Sequence, residues 1–257
     1  ITQGDKWGWS SFSLIFSFVL AGLLVTAFVI RSQRHSAPLF DLALFRLKTF
    51  SVGMVGTVFF MIAFFSWLIS LPTFIQSVWG WSVLKTGFAI APAPLLTAFV
   101  SPPAGRIAER IGNGPLLTIG GVFGAAGLSL HLIFTKIEPD YIKGIFIPGV
   151  LIGFAAGFGF AQLIGAAMRD VPRDKFGMAG AGRTTIFQLA LALGVALAFT
   201  IIGRPDNPQA ALDGLQATWI LGIACYIFQI FLFAFFGGPA KTTKTKSARF
   251  THEAKRH

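Results

Sequence analysis

Side chains that could carry out acid–base, nucleophilic or metal chemistry are few in this sequence of 257 residues, and they are scattered. The four histidines (His35, His131, His252 and His257) do not have the spacing of a metal-binding motif. The sequence contains no nucleophile elbow and no phosphate-binding glycine loop. The single cysteine, Cys225, excludes an intrachain disulfide. We therefore predict no catalytic residue, no bound metal and no cofactor, and we do not expect an enzyme.

The strongest local signal is the charged segment 102–112, which reads Pro-Pro-Ala-Gly-Arg-Ile-Ala-Glu-Arg-Ile-Gly. Arg106, Glu109 and Arg110 can form a charge network, because guanidinium groups pair with carboxylate and carbonyl oxygens. Gly105 and Gly112 permit tight turns on either side of these charges. The segment predicts a short basic loop between two apolar helices. Taken alone, it indicates only a connection on the cytoplasmic side.

The elements that flank this segment are long apolar stretches. A helix that spans the bilayer needs about 20 mostly apolar residues. Seven stretches meet this need: 13–30, 52–75, 83–104, 116–134, 144–168, 184–203 and 218–236. A membrane barrel would need alternating strands, which the sequence does not show. We predict an all-α polytopic membrane protein with seven transmembrane helices, since a helix satisfies its own backbone groups in lipid.

Composition supports a membrane protein and excludes an ordinary soluble domain. Hydrophobic residues make up 54% of the chain and charged residues 12%, against about 25% charged in a typical soluble domain. The mean hydropathy is +0.71. The net charge of +11 is confined mainly to the segments between the apolar stretches, so it favours membrane orientation over nucleic-acid binding.

Basic residues alternate between the two sides of the predicted spans. Most Lys and Arg residues follow the first, third, fifth and seventh spans, and these segments are predicted to be cytoplasmic by the positive-inside rule. The opposite side carries only Lys6, Lys85, Lys136, Lys143 and Arg204. We predict an extracytoplasmic N-terminus, a cytoplasmic C-terminus and a plasma (inner) membrane location. The basic tail 239–257 is predicted to be disordered and to contact anionic lipid.

Several motifs together resemble one family. Gly105-Arg106-x-x-x-Arg110-x-Gly112 resembles the loop motif of the major facilitator superfamily, in the copy carried by the C-terminal half. Further segments resemble the fourteen-helix drug:proton antiporter branch (EmrB/QacA type). They are Trp-Gly-Trp-Ser at 7–10, Pro-Leu-Phe-Asp-Leu-Ala-Leu-Phe-Arg at 38–46, Gln-Ser-Val-Trp-Gly-Trp-Ser at 76–82, Thr-Gly at 86–87, Pro-Ala-Pro-Leu at 92–95, and the stretch 177–196. The similarity extends from residue 7 to about residue 203.

The resemblance implies a half-transporter. Residues 1–49 would hold an extracytoplasmic end, a linker helix and a basic loop, residues 50–238 the C-terminal six-helix bundle, and residues 239–257 the tail. An N-terminal bundle of the same polypeptide, with the proton-coupling acidic residues, would lie outside the sequence given. The six-helix bundle would consist of two inverted three-helix repeats.

The resemblance also selects polar residues that could face a substrate pathway. Spans two, three, five and six would face the central cavity, and spans four and seven the lipid. The candidates are Ser66, Ser70, Gln76, Thr97, Ser101, Gln162, Thr184 and Gln188. For most of them we favour plain hydrogen bonding between helices, worth about 0.6 kcal/mol each. Gln162 and Gln188 are the stronger candidates, because a large amide in hydrocarbon needs a partner.

Other residues carry expectations about position and shape. Arg183 is predicted at the cytoplasmic mouth of span six, either snorkelling or forming a gating ion pair with Asp170 or Asp174. His131 is expected to be a solvated residue near the outer end of its helix. Prolines at 92, 94, 102 and 103 are expected to kink span three. Glycines at 149, 153 and 157 are expected to form a groove for close helix packing, followed by another at 159.

Three functions are compatible with these features. The leading hypothesis is a proton-coupled secondary transporter that exports drugs or other amphipathic small molecules by alternating access, with this chain inactive alone. A second is a carrier of the same superfamily for sugars, peptides or organic acids. A third is a seven-helix receptor or rhodopsin-like protein, although the last span has no Lys for a retinal Schiff base. The expected partners are the lipid bilayer, small amphipathic substrates, protons and the N-terminal bundle, without nucleic acid.

Overall fold

The computed structural model describes residues 42–237 of the chain and the isolated helical positions 16, 19, 20, 23 and 26. The helices are α1 (Lys48–Ser77), α2 (Val83–Ile90), α3 (Pro92–Ile111), α4 (Asn113–Phe134), α5 (Ile147–Met168), α6 (Phe176–Ile202) and α7 (Pro208–Phe236). Short helical turns at Leu42–Arg46, Ile142–Phe146 and Arg173–Lys175 precede α1, α5 and α6. Residues 42–237 contain no β-strand.

The described residues contain six helical spans that are long and apolar enough to cross a membrane, with α2 and α3 together forming the span Val83–Ile111. This confirms the predicted all-helical membrane fold for the last six spans. The first predicted span, 13–30, lies outside the described residues apart from the five isolated positions. The terminal tail also lies outside them.

The prediction of a loop at 102–112 was wrong. Helix α3 continues to Ile111, and only Gly112, with a φ of 89°, leaves helical geometry. Arg106, Glu109 and Arg110 therefore lie on the last turns of a helix, where a basic side chain interacts favourably with the helix dipole. Hydropathy detected the apolar part of this helix and missed its polar end.

Helices α6 and α7 begin earlier than predicted for the same reason. Helix α6 starts at Phe176 and α7 at Pro208, whereas the apolar stretches start at 184 and 218. The Asn207 side chain accepts a hydrogen bond from the Ala210 backbone N–H at 2.8 Å and caps α7. The helix is interrupted only at Ala91, directly before Pro92, where the backbone keeps helical dihedral angles (φ −54°, ψ −32°). Pro102 and Pro103 lie inside the continuous helix α3, and the kink of span three stays a prediction.

Helices α1 and α5 form the centre of the bundle. Helix α1 packs against α5, α6 and α7, and α5 packs against α1, α3 and α4. Helices α4 and α7 pack against each other. The six spans divide into two groups of three, α1 to α4 (with α2 and α3 as one span) and α5 to α7. The first span of each group thus lies against the second and third spans of the other group. Two related repeats that exchange contacts would produce this arrangement.

Glycines allow the closest helix approaches. A Cβ at Gly153 would lie 2.8 Å from the Ala93 carbonyl oxygen, and one at Gly157 would lie 2.6 Å from Val100 Cβ. These two glycines form the predicted groove, and α3 occupies it. A Cβ at Gly149 would meet nothing within 4 Å, so Gly149 takes no part in the contact between α3 and α5. Gly159 faces the Phe60 ring of α1.

Candidate functional site

The polar candidates on α1 bond mainly to their own helix. Ser66 is buried, and its hydroxyl donates to the Ile62 carbonyl oxygen at 2.6 Å. Ser70 is also buried and donates to the Trp67 carbonyl oxygen at 3.3 Å. Gln76 is exposed, and its amide donates to the Pro72 carbonyl oxygen at 3.2 Å. Backbone bonding of this kind satisfies a polar group in an apolar surrounding and needs no substrate.

Thr97 and Ser101 lie along the contact between α3 and α5. The Thr97 hydroxyl is within reach of two carbonyl oxygens, that of Ala93 at 2.9 Å and that of Gly153 on α5 at 3.1 Å. Ser101 donates to the Thr97 carbonyl oxygen at 2.8 Å. Both side chains are half-buried. Thr97 therefore provides a direct hydrogen bond between α3 and α5, which is the role that the sequence analysis favoured for most of the polar candidates.

The two glutamines singled out from the sequence occupy different environments. Gln162 is 2% exposed, and its Nε2 has no hydrogen-bond partner among the described residues. Its backbone oxygen accepts a hydrogen bond from Asn113 Nδ2 at 2.9 Å, which joins α4 to α5. Gln188 instead is exposed on α6. The structure thus places one glutamine in the core and the other on an outer face.

Arg183 lies about two turns inside α6, because that helix begins at Phe176. Its side chain is half-buried. Within residues 42–237 it forms no ion pair with Asp170 or Asp174, and Asp170 pairs instead with Arg169 at 3.6 Å. Helix α6 therefore extends about two turns beyond Arg183 towards its N-terminus, and the position of Arg183 at the cytoplasmic mouth of the span stays a prediction.

The face of α6 near Arg183 carries further polar groups. Thr184, Thr185 and Gln188 are all exposed. The two threonine hydroxyls donate to the Gly180 and Ala181 carbonyl oxygens, at 3.0 and 3.1 Å. The Gln188 amide has no hydrogen-bond partner in the described part of the chain. This face combines hydrogen-bonding groups with an apolar span, which is the composition of a wall that meets water, substrate or another protein.

Aromatic rings pack near the middle of the bundle. Phe60 is fully buried and contacts Phe64 and Phe160, with ring centroids 5.9 and 5.1 Å away. The half-buried Phe65 contacts Phe187 of α6 at 6.4 Å. Phe60 is therefore a core residue, whereas Phe64 and Phe65 reach the border between the core and the accessible face of α1.

The charged residues at the end of α3 do not form the predicted network. Arg106, Glu109 and Arg110 are exposed, and no ion pair joins them to the described residues. Gly105 is helical and has open space around it, while Gly112 makes the turn into α4. The loop motif is thus a polar helix end followed by one glycine turn.

His131 is the main polar residue whose environment the sequence did not predict. It is fully buried, not solvated, and its Nε2 accepts a hydrogen bond from Trp67 Nε1 at 3.0 Å. Since Nε2 accepts, Nδ1 carries the proton and donates to the Gly144 carbonyl oxygen at 2.9 Å. The ring stacks obliquely on Trp219, with centroids 5.0 Å apart. His131 therefore connects α1, α4, α7 and the turn before α5, and only long-range contacts reveal this.

Comparison with known proteins assigns the family. The family model described as Major Facilitator Superfamily matches residues 4–195 and 54–254. The chain belongs to the major facilitator superfamily. It is a multi-pass membrane protein of a transporter family, and the resemblance derived from its motifs is confirmed. Membership removes the receptor and rhodopsin alternative.

Individual members of the superfamily resemble the chain over most of its length. The uncharacterized transporter YebQ of Escherichia coli (strain K12) is 32% identical over 220 residues, which cover 84% of this chain and 47% of YebQ. The multidrug resistance protein Stp of Mycobacterium tuberculosis (strain H37Rv) is 29% identical over 207 residues, covering 79% of this chain and 36% of Stp. The lincomycin resistance protein LmrB of Listeria monocytogenes is 26% identical over 233 residues, covering 84% and 48%. The chain spans less than half the length of these relatives.

Proposed function

We propose that this chain forms one wall of a proton-coupled exporter for drugs or other amphipathic small molecules, and that an N-terminal bundle forms the opposite wall. Membership of the major facilitator superfamily supports transport, and relatives named for multidrug and lincomycin resistance support amphipathic substrates. The match to under half of each relative supports a second bundle. The proposed location is the plasma membrane.

The observation that carries this proposal is the exposed polar face of α6. Gln188 lies twelve residues after the start of a 27-residue helix, about 18 Å along its axis and so near its middle. A primary amide on the exposed face of a membrane-spanning helix is costly in lipid unless it meets protein or water. An aqueous substrate cavity between two bundles would provide that contact.

The direct test is dye efflux by the full-length protein. Cells that express it are loaded with a fluorescent cationic dye and energised, and loss of the dye is followed with and without a protonophore. We expect efflux that stops when the protonophore collapses the proton gradient. Efflux that continues unchanged would contradict proton coupling. The 257-residue chain alone, reconstituted in vesicles, is expected to show no concentrative transport.

The position of Arg183 favours a second candidate, a carrier for organic anions. A half-buried guanidinium two turns inside a span can attract a carboxylate. Arg183→Gln separates the candidates when both substrate types are assayed. Loss of uptake or efflux of an organic acid, with dye efflux unchanged, would favour the anion carrier. Unchanged transport of anions would eliminate it.

The proposed orientation has its own test. Single cysteines are introduced in a Cys225→Ser background, one at Lys136 and one at Arg106. A membrane-impermeant maleimide added to intact cells is expected to label position 136 and not position 106, since the outer side carries few basic residues. The reverse labelling pattern would contradict an extracytoplasmic connection between α4 and α5.

A further inference from the structure

A side cavity of about 190 Å³ lies between α1, α6 and α7, at the ends of α1 and α6 and the start of α7. With the proposed orientation this is the extracytoplasmic end of the bundle. The cavity exceeds the roughly 150 Å³ that admits a benzene molecule in an engineered protein core. It is smaller than the roughly 300–1,000 Å³ of sites for drug-sized ligands. Its volume therefore suits a molecule built on a single substituted ring.

One wall of this side cavity is a row of hydroxyl groups on α1. Ser70, Thr73 and Ser77 have the i, i+3, i+7 spacing that places them on one helix face. Ser70 is 1% exposed and lies deepest, whereas Thr73 and Ser77 are more accessible and lie towards the helix end. The row therefore runs from the buried interior to the opening.

The hydroxyl protons in this row are directed into α1 itself. Thr73 donates to the Ile69 carbonyl oxygen at 2.8 Å, and Ser77 donates to the Phe74 carbonyl oxygen at 3.4 Å. Ser70 likewise donates within the helix. Each oxygen keeps its lone pairs for an acceptor role. A ligand would therefore bind this wall by donating an O–H or N–H group.

The opposite wall is apolar. It is formed by Phe199 and Ile202 of α6 and by Ala211 and Leu215 of α7. Pro205, in the connection between these helices, also lines the cavity and has no backbone N–H to offer. No lining residue is charged. A fully charged ligand group would be desolvated there without a partner, at a large cost in free energy.

We propose that this side cavity binds small uncharged molecules that combine one aromatic or branched apolar body with one hydrogen-bond donor, of which a phenol is the simplest example. The donor faces the row Ser70, Thr73 and Ser77, and the apolar body packs on Phe199 and Leu215. The site lies within this chain, on the side of α1 that faces α6 and α7. It does not depend on the proposed export activity or on a second bundle.

The test uses the full-length protein in lipid nanodiscs and a diazirine derivative of 4-propylphenol as the probe. After illumination, labelled peptides are identified by mass spectrometry, and unlabelled 4-propylphenol is added as competitor. We expect saturable labelling of peptides that contain 69–77, 199–205 and 211–215. Propylbenzene, which has the same body without the donor, should compete at least about fivefold less well, because one hydrogen bond is lost. Labelling that does not saturate, or equal competition by propylbenzene, would overturn the proposal.

Two variants locate the site and one serves as their control. Thr73→Val with Ser77→Ala removes two acceptors at accessible positions and should weaken competition by about five- to tenfold. Ala211→Leu fills the cavity and should abolish saturable labelling. Thr57→Val removes a buried hydroxyl of the same helix that bonds to the Gly53 carbonyl oxygen and does not line the cavity, and it should leave binding unchanged. A Thr57→Val effect as large as that of the double variant would refute the assignment, as would normal labelling of Ala211→Leu.

Discussion

Helices α1 and α6 are equally apolar over a membrane length, yet 56% of that stretch is buried in α1 and 17% in α6. The same contrast separates α5, also 56% buried, from the span Val83–Ile111, which is 17% buried. Burial inside this chain therefore follows position in the bundle and not hydropathy. The two central helices α1 and α5 are surrounded by other helices, whereas α3 and α6 each leave a face that lipid, water or another bundle must cover.

Gly53 of the central helix α1 and Gly180 of the peripheral helix α6 differ in how closely a neighbouring helix approaches them. A Cβ at Gly53 of α1 would lie 2.7 Å from Ala167 Cα of α5, so neither helix can yield without moving its backbone. A Cβ at Gly180 of α6 would meet nothing within 4 Å. Substitution of these two glycines measures the contrast directly.

Gly53→Val should produce the largest loss of stability. It forces α1 and α5 apart, and overpacking of this kind costs about 1–3 kcal/mol or more. Thermal unfolding in detergent, followed by tryptophan fluorescence, measures the loss. Gly180→Val is the matched control, with the same substitution in a helix, and should shift the midpoint little. Equal shifts of the unfolding midpoint for both variants would mean that the α1–α5 contact at Gly53 is packed no more tightly than the surroundings of Gly180.

The second expected effect concerns His131, which connects α1, α4 and α7. His131→Ala removes the acceptor of Trp67 and the donor to Gly144, and it leaves a cavity beside Trp219. We expect a loss of about 1–3 kcal/mol in the free energy of unfolding, because the buried Trp67 N–H loses its acceptor. Ser129→Ala, two residues away on the same helix and half-buried, is the control. A wild-type unfolding midpoint for His131→Ala would show that the hydrogen bonds add nothing.

Two glutamines on different helices sharpen the comparison between buried and exposed faces. Gln229 of α7 is fully buried, and its amide donates to the Leu117 carbonyl oxygen of α4 at 3.0 Å. Gln229→Ala should therefore cost about 1–3 kcal/mol of stability. Gln188→Ala should change stability by less than about 0.5 kcal/mol, as is usual at exposed positions. The effect of Gln188→Ala should appear in transport by the full-length protein, as a change in the KM for dye efflux.

A reversed result for these glutamines would be informative. Destabilisation by Gln188→Ala in the isolated chain would mean that the Gln188 side chain has a stabilising partner within that chain. The proposed exposed wall would then be wrong. Gln76→Ala, at an exposed amide that bonds within α1, provides the baseline for both measurements.

The sequence predicted the number and type of the described spans well, because length and apolar content are local properties. It could not assign the faces of those spans. Apolar residues cover most sides of α6 and α7 over most of their length, so no periodic apolar stripe shows which side meets the core. The rule that a large amide needs a partner selected Gln162 and Gln188 equally, and only the packing distinguishes them.

Long-range contacts explain the other differences. His131 has an apolar sequence environment near the end of a span, and its partner Trp67 lies 64 residues away. The glycine groove was predictable from spacing, but the helix that fills it was not. Gly149 shows the limit of the spacing rule, since it fits the i, i+4 pattern and contacts nothing there.

The smallest predicted effect concerns the end of α3, in the peripheral part of the bundle. Gly112 has a φ of 89°, which L side chains rarely adopt, whereas Gly105 is helical with open space around it. Gly112→Ala should destabilise the protein by at least about 1 kcal/mol, because φ 89° and ψ 166° lie in a region that is essentially restricted to glycine. Gly105→Ala should stabilise it by about 0.5–1 kcal/mol, because alanine loses less backbone entropy in a helix. Thermal unfolding shifts of opposite sign are expected. A stabilising Gly105→Ala would support continuation of α3 to Ile111, and a destabilising one would favour a loop at 102–112.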